Sequence, residues 1–184
     1  MNTRLTWICH GATTASRKTL FPLDEPLEGK AAEDAGRMAA PPRADRIATS
    51  PALRARQTAD ALRLEARIDQ ALRDCDHGRW AGRSITTIEA EEPENLVAWM
   101  SDPEAAPHGG ESLLDLRTRV AGWMDGESAL GGHVIAISHA AVIRAAVAHV
   151  LQAPHSSFWR SDIEPLAIVC MTSNGSRWSL RFPY

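Results

Sequence analysis

Twice along the chain a short apolar run ends on a histidine. Residues 5–9 (LTWIC) lead into His10-Gly11, and residues 133–137 (HVIAI) lead into Ser138-His139. Runs this short, rich in Ile, Val and Trp, read as buried strands. An alanine-rich helical segment reaching Leu151 follows the second. Strands that alternate with helices belong to a mainly parallel sheet wrapped by helices. In such a sheet the ligand crevice lies outside the carboxyl ends of the strands. Both histidines therefore stand where one small ligand can meet them.

The remaining pattern fits the same frame. Residues 24–42 read as a loop, a helix near 31–38 and a break at Pro41-Pro42; residues 45–49 (DRIAT) read as a second short strand. Ser50 is placed to cap a helix over 52–64, with Pro51 in its first turn. Residues 70–94 are loop-rich, 94–100 suit a short helix, and 107–110 form a turn. Leu113, Leu116, Val120 and Trp123 share one face of a helix over 111–125. Residues 166–172 and 177–182 flank Asn174-Gly175 as a closing hairpin. The expected architecture is a single-domain α/β protein over residues 1–184. It is a three-layer α/β sandwich whose mostly parallel sheet is flanked by helices. The hairpin lies at the sheet edge, and residues 75–110 form an excursion over the active edge.

Composition narrows the partners. The chain has 184 residues, 44% of them apolar and 23% charged, with a net charge of −3. These are ordinary values for a globular domain. There is no apolar run of the roughly 20 residues needed to span a bilayer and no basic run of the nucleic-acid-binding kind. Neither membrane nor nucleic acid is expected as a partner, and the cytoplasm is the default compartment. Cys9, Cys75 and Cys170 have no framework spacing and are expected as thiols.

Five ordered motifs resemble those of the histidine phosphatase (phosphoglycerate-mutase-like) superfamily. Ile8-Cys9-His10-Gly11-Ala12-Thr13 stands in the place of a strand ending in Arg-His-Gly. Ser50-Pro51-Ala52-Leu53-Arg54-Ala55-Arg56-Gln57-Thr58-Ala59 matches the Ser-Pro segment and its helix. Leu72-Arg73-Asp74 with Gly78-Arg79-Trp80-Ala81-Gly82, then Gly109-Gly110-Glu111-Ser112, then Ser138-His139 with Arg144 complete the series.

The resemblance implies a phosphomonoester hydrolase working through a phosphohistidine, with no metal or cofactor and a small phosphorylated metabolite as substrate. A mutase is a poorer fit, because residues 75–110 are short for an arm around the substrate. A homodimer is left open. His10 would be the nucleophile. Arg54 would grip phosphate oxygens in fork geometry, and His139 would donate to the transition state. Asp74, in place of a glutamate, would protonate the leaving oxygen. Thr13, Ser16, Arg17, Glu111, Ser112 and Ala140 would bind substrate. Arg144 reads either as a site residue or as a structural ion-pair former, and Trp80 and Trp159 either as cleft walls or as core.

Three polar positions of the first loop depart from the pattern: Ser16 stands for an asparagine, Ala12 for an acidic residue, and Cys9 for the motif's arginine, whose charge a neutral thiol lacks. Either Arg17 or Lys18 turns inward to restore that charge, or turnover is reduced. The alternative is a non-catalytic phosphate-ligand sensor or scaffold on a degenerate pocket. A cysteine-phosphatase loop would need Arg six residues after Cys9, where Ala15 stands. A zinc site from Cys9, His10, Cys75, His77 and His139 lacks paired ligand spacing. Cys9 suits a small buried strand-end residue best.

Overall fold

The structure, a computed structural model, describes residues 2–39, 41 and 43–182. The break expected at Pro42 lies outside the described residues. Six strands form one sheet in the order β3-β2-β4-β1-β5-β6. They are β1 (Thr3–Cys9), β2 (Arg46–Thr49), β3 (Arg67–Ile68), β4 (Gly132–Ser138), β5 (Ile168–Ser173) and β6 (Trp178–Arg181). The first four run parallel, and β5 and β6 close the edge as the expected antiparallel hairpin.

The two central strands carry apolar side chains on both sides because both sheet faces are covered. Leu5, Trp7 and Cys9 of β1, with Val134 and Ala136 of β4, meet α6 (Leu113–Leu130) and α7 (Ala140–Val150). Ile8, Ile135 and Ile137 point the other way, onto Ala55 and Ala59 of α3 (Leu53–Ala61). This period-two division of a continuous apolar run marks a strand buried on both sides. The layers are thus helix, sheet and helix.

Several elements differ from the expectation for local reasons. Helix α3 starts at Leu53, not at Pro51, and Ala52 is its cap residue with no side-chain cap of its own. Asp24, 29 residues upstream, accepts from Leu53 N–H at 2.7 Å instead. Within the stretch expected to be loop lies α4 (Ile85–Glu91), opened by Ser84, whose hydroxyl accepts from Thr87 N–H at 3.0 Å. Short α1 (Thr14–Lys18) was also unforeseen; Thr13 and Ser16 make a reciprocal capping box there. Helix α6 runs past Asp125 to Leu130, and strand β3 is only two residues long. Helices α2 (Gly29–Arg37) and α5 (Pro93–Ser101) fall close to their expected positions.

Residues 75–110 gather around a separate apolar cluster of Phe21, Trp80, Ile88, Leu96 and Trp99. Two motif glycines lock its ends together. A Cβ on Gly78, where φ is +47°, would lie 2.2 Å from His108 O, and one on Gly110 would lie 2.1 Å from Asp76 O. Only glycine admits backbones this close. The bonds Arg79 N–H to His108 O (3.0 Å) and Glu111 N–H to Asp76 O (2.8 Å) fill the space.

Candidate active site

The register of the sheet builds the site. Cys9 of β1 lies beside Ser138 of parallel β4, and His10 N–H donates to Ser138 O at 2.9 Å. The residues that follow, His10 and His139, therefore leave the sheet at one level. Their rings meet edge to face, 5.1 Å between centroids at 64°.

His10 Nδ1 lies 2.7 Å from Gly11 O. A carbonyl only accepts, so Nδ1 carries the proton and Nε2 keeps its lone pair. The Arg54 Nε–H donates to that Nε2 at 3.3 Å. Arg54, on the first turn of α3 and buried, also donates to Leu23 O (2.8 Å) and to Asp74 Oδ2 (2.7 Å). The Gly11 turn is fixed in turn by Thr58, whose hydroxyl accepts from Gly11 N–H at 3.0 Å.

Asp74 Oδ2 also lies 3.2 Å from His139 Nδ1. Ser50 explains its poor service as a helix cap, since its hydroxyl is 2.7 Å from His139 Nε2. Burial pushes the His139 imidazole down to about 3; Asp74 opposes this, while Arg54 and His10 add to it. His10 is also lowered, by burial and then by Arg54. Burial alone would raise the Asp74 carboxyl, but His139, Arg54, His77 and His10 together outweigh it and hold it well below the usual carboxylate range. These directions favour neutral histidines and an ionised Asp74 at neutral pH.

A stability consequence follows. His10, His77, His108 and His139 all have lowered values. Unfolded, each takes up a proton near pH 6.5, which the native state refuses. Their contribution is therefore complete above that pH and drains as the pH falls, toward about 4 for His108 and about 3 for His139. Each excluded proton is worth at most about 1.4 kcal/mol per pH unit. Urea unfolding at pH 7, 6 and 5 should show a falling midpoint, and His139→Gln should flatten the slope. A midpoint constant across that range would contradict the neutral-histidine site.

His10 opens onto a cavity of about 410 Å³, also lined by Thr13, Ser16, Arg54, Asp74 and Arg144. Ala140 lines it too, whereas His139 stands behind His10 and Asp74 and is 1% exposed. Arg17 and Lys18 do not line it; Arg17 is paired with Glu28 on the outside. Glu111 and Ser112 also lie off the cavity. Glu111 binds the Arg119 fork at 2.7 and 2.6 Å, and Arg119 donates to Ala71 O and Arg73 O, so the pair holds the segment carrying Asp74. Ser112 caps α6. Trp159 is a cavity wall, while Trp80 is fully buried in the apolar cluster.

Cys9 is a buried thiol, raised to about 12 by burial and then by Asp74, with Arg144 and Arg54 pulling the other way. Arg144, on α7, lines the cavity. Arg144 pairs with Asp162 at 3.3 Å and lies over the Phe158 ring. The three cysteines form no disulfide. Among the described residues, no group of three or more His, Cys, Asp or Glu is arranged to hold a metal ion.

His10 and His139 after β1 and β4, Arg54 of α3 and Asp74 thus meet at one edge of the sheet. The chain belongs to the histidine phosphatase superfamily (branch 1), whose pattern matches residues 5–183. A glucosyl-3-phosphoglycerate phosphatase of Mycobacterium tuberculosis is 35% identical over 101 residues, which is 50% of this chain and 45% of that protein. Phosphoserine phosphatase 1 of Hydrogenobacter thermophilus is 30% identical over 112 residues, 58% and 52% of the two chains. The matched stretch thus spans about half the length of these curated relatives. Among solved structures, an alpha-ribazole phosphatase from Shigella flexneri superposes with a TM-score of 0.82 at 25% identity, covering 97% of this chain and 94% of that one. The mycobacterial glucosyl-3-phosphoglycerate phosphatase with VO3 gives 0.83 at 26%, covering 97% and 96%.

Proposed function

We propose that the chain hydrolyses small phosphomonoesters through a phosphohistidine on His10. The observation that carries this reading is the His10 ring, with Nδ1–H anchored on Gly11 O and the Nε2 lone pair held only by the Arg54 Nε–H. A neutral, oriented imidazole facing a cavity beside a guanidinium is what nucleophilic attack on phosphorus requires.

In the proposed reaction the substrate phosphate takes Arg54 from His10 and Asp74. Nε2 bonds to phosphorus as the bond from phosphorus to the ester oxygen breaks. Freed of its arginine and faced by a dianion, the Asp74 carboxylate takes up a proton from solvent and delivers it to the departing oxygen. The same dianion favours uptake of a solvent proton by His139, whose charge then stabilises the transferring group from behind His10. Water next attacks the phosphohistidine, Asp74 takes its proton, and phosphate leaves with His10 restored. The cavity, about 410 Å³, suits a small metabolite. With Cys9 beneath, the phosphate lacks one charge-assisted donor, so turnover is reduced. Arg144 is the additional guanidinium lining the cavity.

Rapid quench with ³²P-labelled p-nitrophenyl phosphate tests the intermediate. The expected result is an acid-labile, base-stable label on wild-type protein that is absent from His10→Ala. Turnover without label would overturn the covalent route. Phosphate binding without label or turnover, across a phosphoester panel, would favour the sensor.

A further inference from the structure

Beyond His10 the cavity changes character. Its outer wall is Leu20, Phe21, Trp99, Phe158, Trp159 and Ile163. The aromatics among them meet edge to face: Trp99 and Trp159 have centroids 4.7 Å apart at 69°, and Phe21 and Trp99 are 5.6 Å apart at 73°. Charge is distributed just as unevenly. Among the described residues, Lys and Arg contribute only Arg54 and Arg144 to the lining, whereas Glu25, Asp74, Asp162 and Glu164 contribute carboxylates. Arg54 is held by His10 and Asp74 at the floor; Arg144 meets Asp162 through one nitrogen at 3.3 Å, and its buried Nε has no partner.

We infer that the substrate is the phosphomonoester of an uncharged alcohol bearing an apolar or aromatic ring. This rests on the phosphatase reading and narrows it. The phosphoryl group takes Arg54, so a second anionic group on the alcohol meets Glu25, Asp162 and Glu164 with Arg144 as the one remaining guanidinium, itself facing Asp162. Specificity here is largely rejection, since like charges brought together in a desolvated cleft cost more than a missing contact. A ring instead gains the aromatic wall, where edge-to-face packing adds to burial. Arg144 over Phe158 fixes one side of that wall.

The test compares esters of primary alcohols with closely matched leaving groups: 2-phenylethyl phosphate against 3-phosphoglycerate and O-phosphoserine. The expected kcat/KM is about 10-fold or more higher for 2-phenylethyl phosphate, the scale of discrimination available to an apolar pocket. Leu20→Lys, which brings a free cation to the wall, should shift that ratio toward 3-phosphoglycerate by about 10-fold. Equal or reversed preference, with p-nitrophenyl phosphate turnover still dependent on His10, would overturn this specificity and leave the phosphatase reading standing. If p-nitrophenyl phosphate turnover does not depend on His10, the phosphatase reading falls instead. Calorimetry with 2-phenylethylphosphonate and 3-phosphonopropionate then reads the preference without turnover. Tighter binding of the phenylethyl compound supports the aromatic wall as a ligand site; equal or weaker binding sinks it.

Discussion

Replacing His10 with alanine is expected to lower kcat for p-nitrophenyl phosphate by about 10⁴-fold or more, the scale seen when a covalent nucleophile is removed. The residue is 9% exposed and its ring bonds only to Gly11 O and the Arg54 Nε–H. Truncation therefore leaves Arg54 still held by Leu23 O and Asp74, and the fold should persist. A thermal melt within a few degrees of wild type separates lost chemistry from lost structure. Loss of kcat with retained phosphate binding is the expected pair of results. A kcat within tenfold of wild type would remove His10 from the reaction.

Cys9→Arg is expected to act in the opposite direction and raise kcat/KM by up to about 10²-fold, the value of one preorganised donor to a developing charge. The thiol is neutral, its value raised by burial and then by Asp74. A guanidinium here would face both Asp74 and the phosphate. It must also fit an apolar cluster in which Cys9 is 2% exposed, so a melting temperature is measured alongside. Cys9→Ser, which keeps the size and adds no charge, is the control and should change kcat/KM little. A folded Cys9→Arg protein no faster than wild type would mean that this position does not limit the rate.

Much of this was legible in the chain because strand ends and motif spacing are local properties. The runs before His10 and His139, the helix carrying Arg54, and the hairpin around Asn174-Gly175 follow from patterns within about a dozen residues. What escaped depends on distance. Asp24 caps a helix 29 residues on, and Ser50 looked like a cap because its partner, His139, lies 89 residues away. Arg119 holds the segment before Asp74 although nothing in its own helix marks it. Arg17 beside the phosphate loop was a reasonable cation to expect in the pocket, but Glu28 lies on its outer side and claims it. Short α1 and α4 carry too few apolar residues to show a period, and only their cap residues could have announced them.

The hydrogen bonds of Arg54 bear on more than geometry. The guanidinium rests on the nucleophile and on the acid that the proposed reaction needs. Substrate capture is then an exchange of partners rather than an addition to a vacancy, and phosphate release runs the same exchange backwards. Such a site is expected to hold inorganic phosphate loosely. Product then lingers little, even when the chemical step is slow.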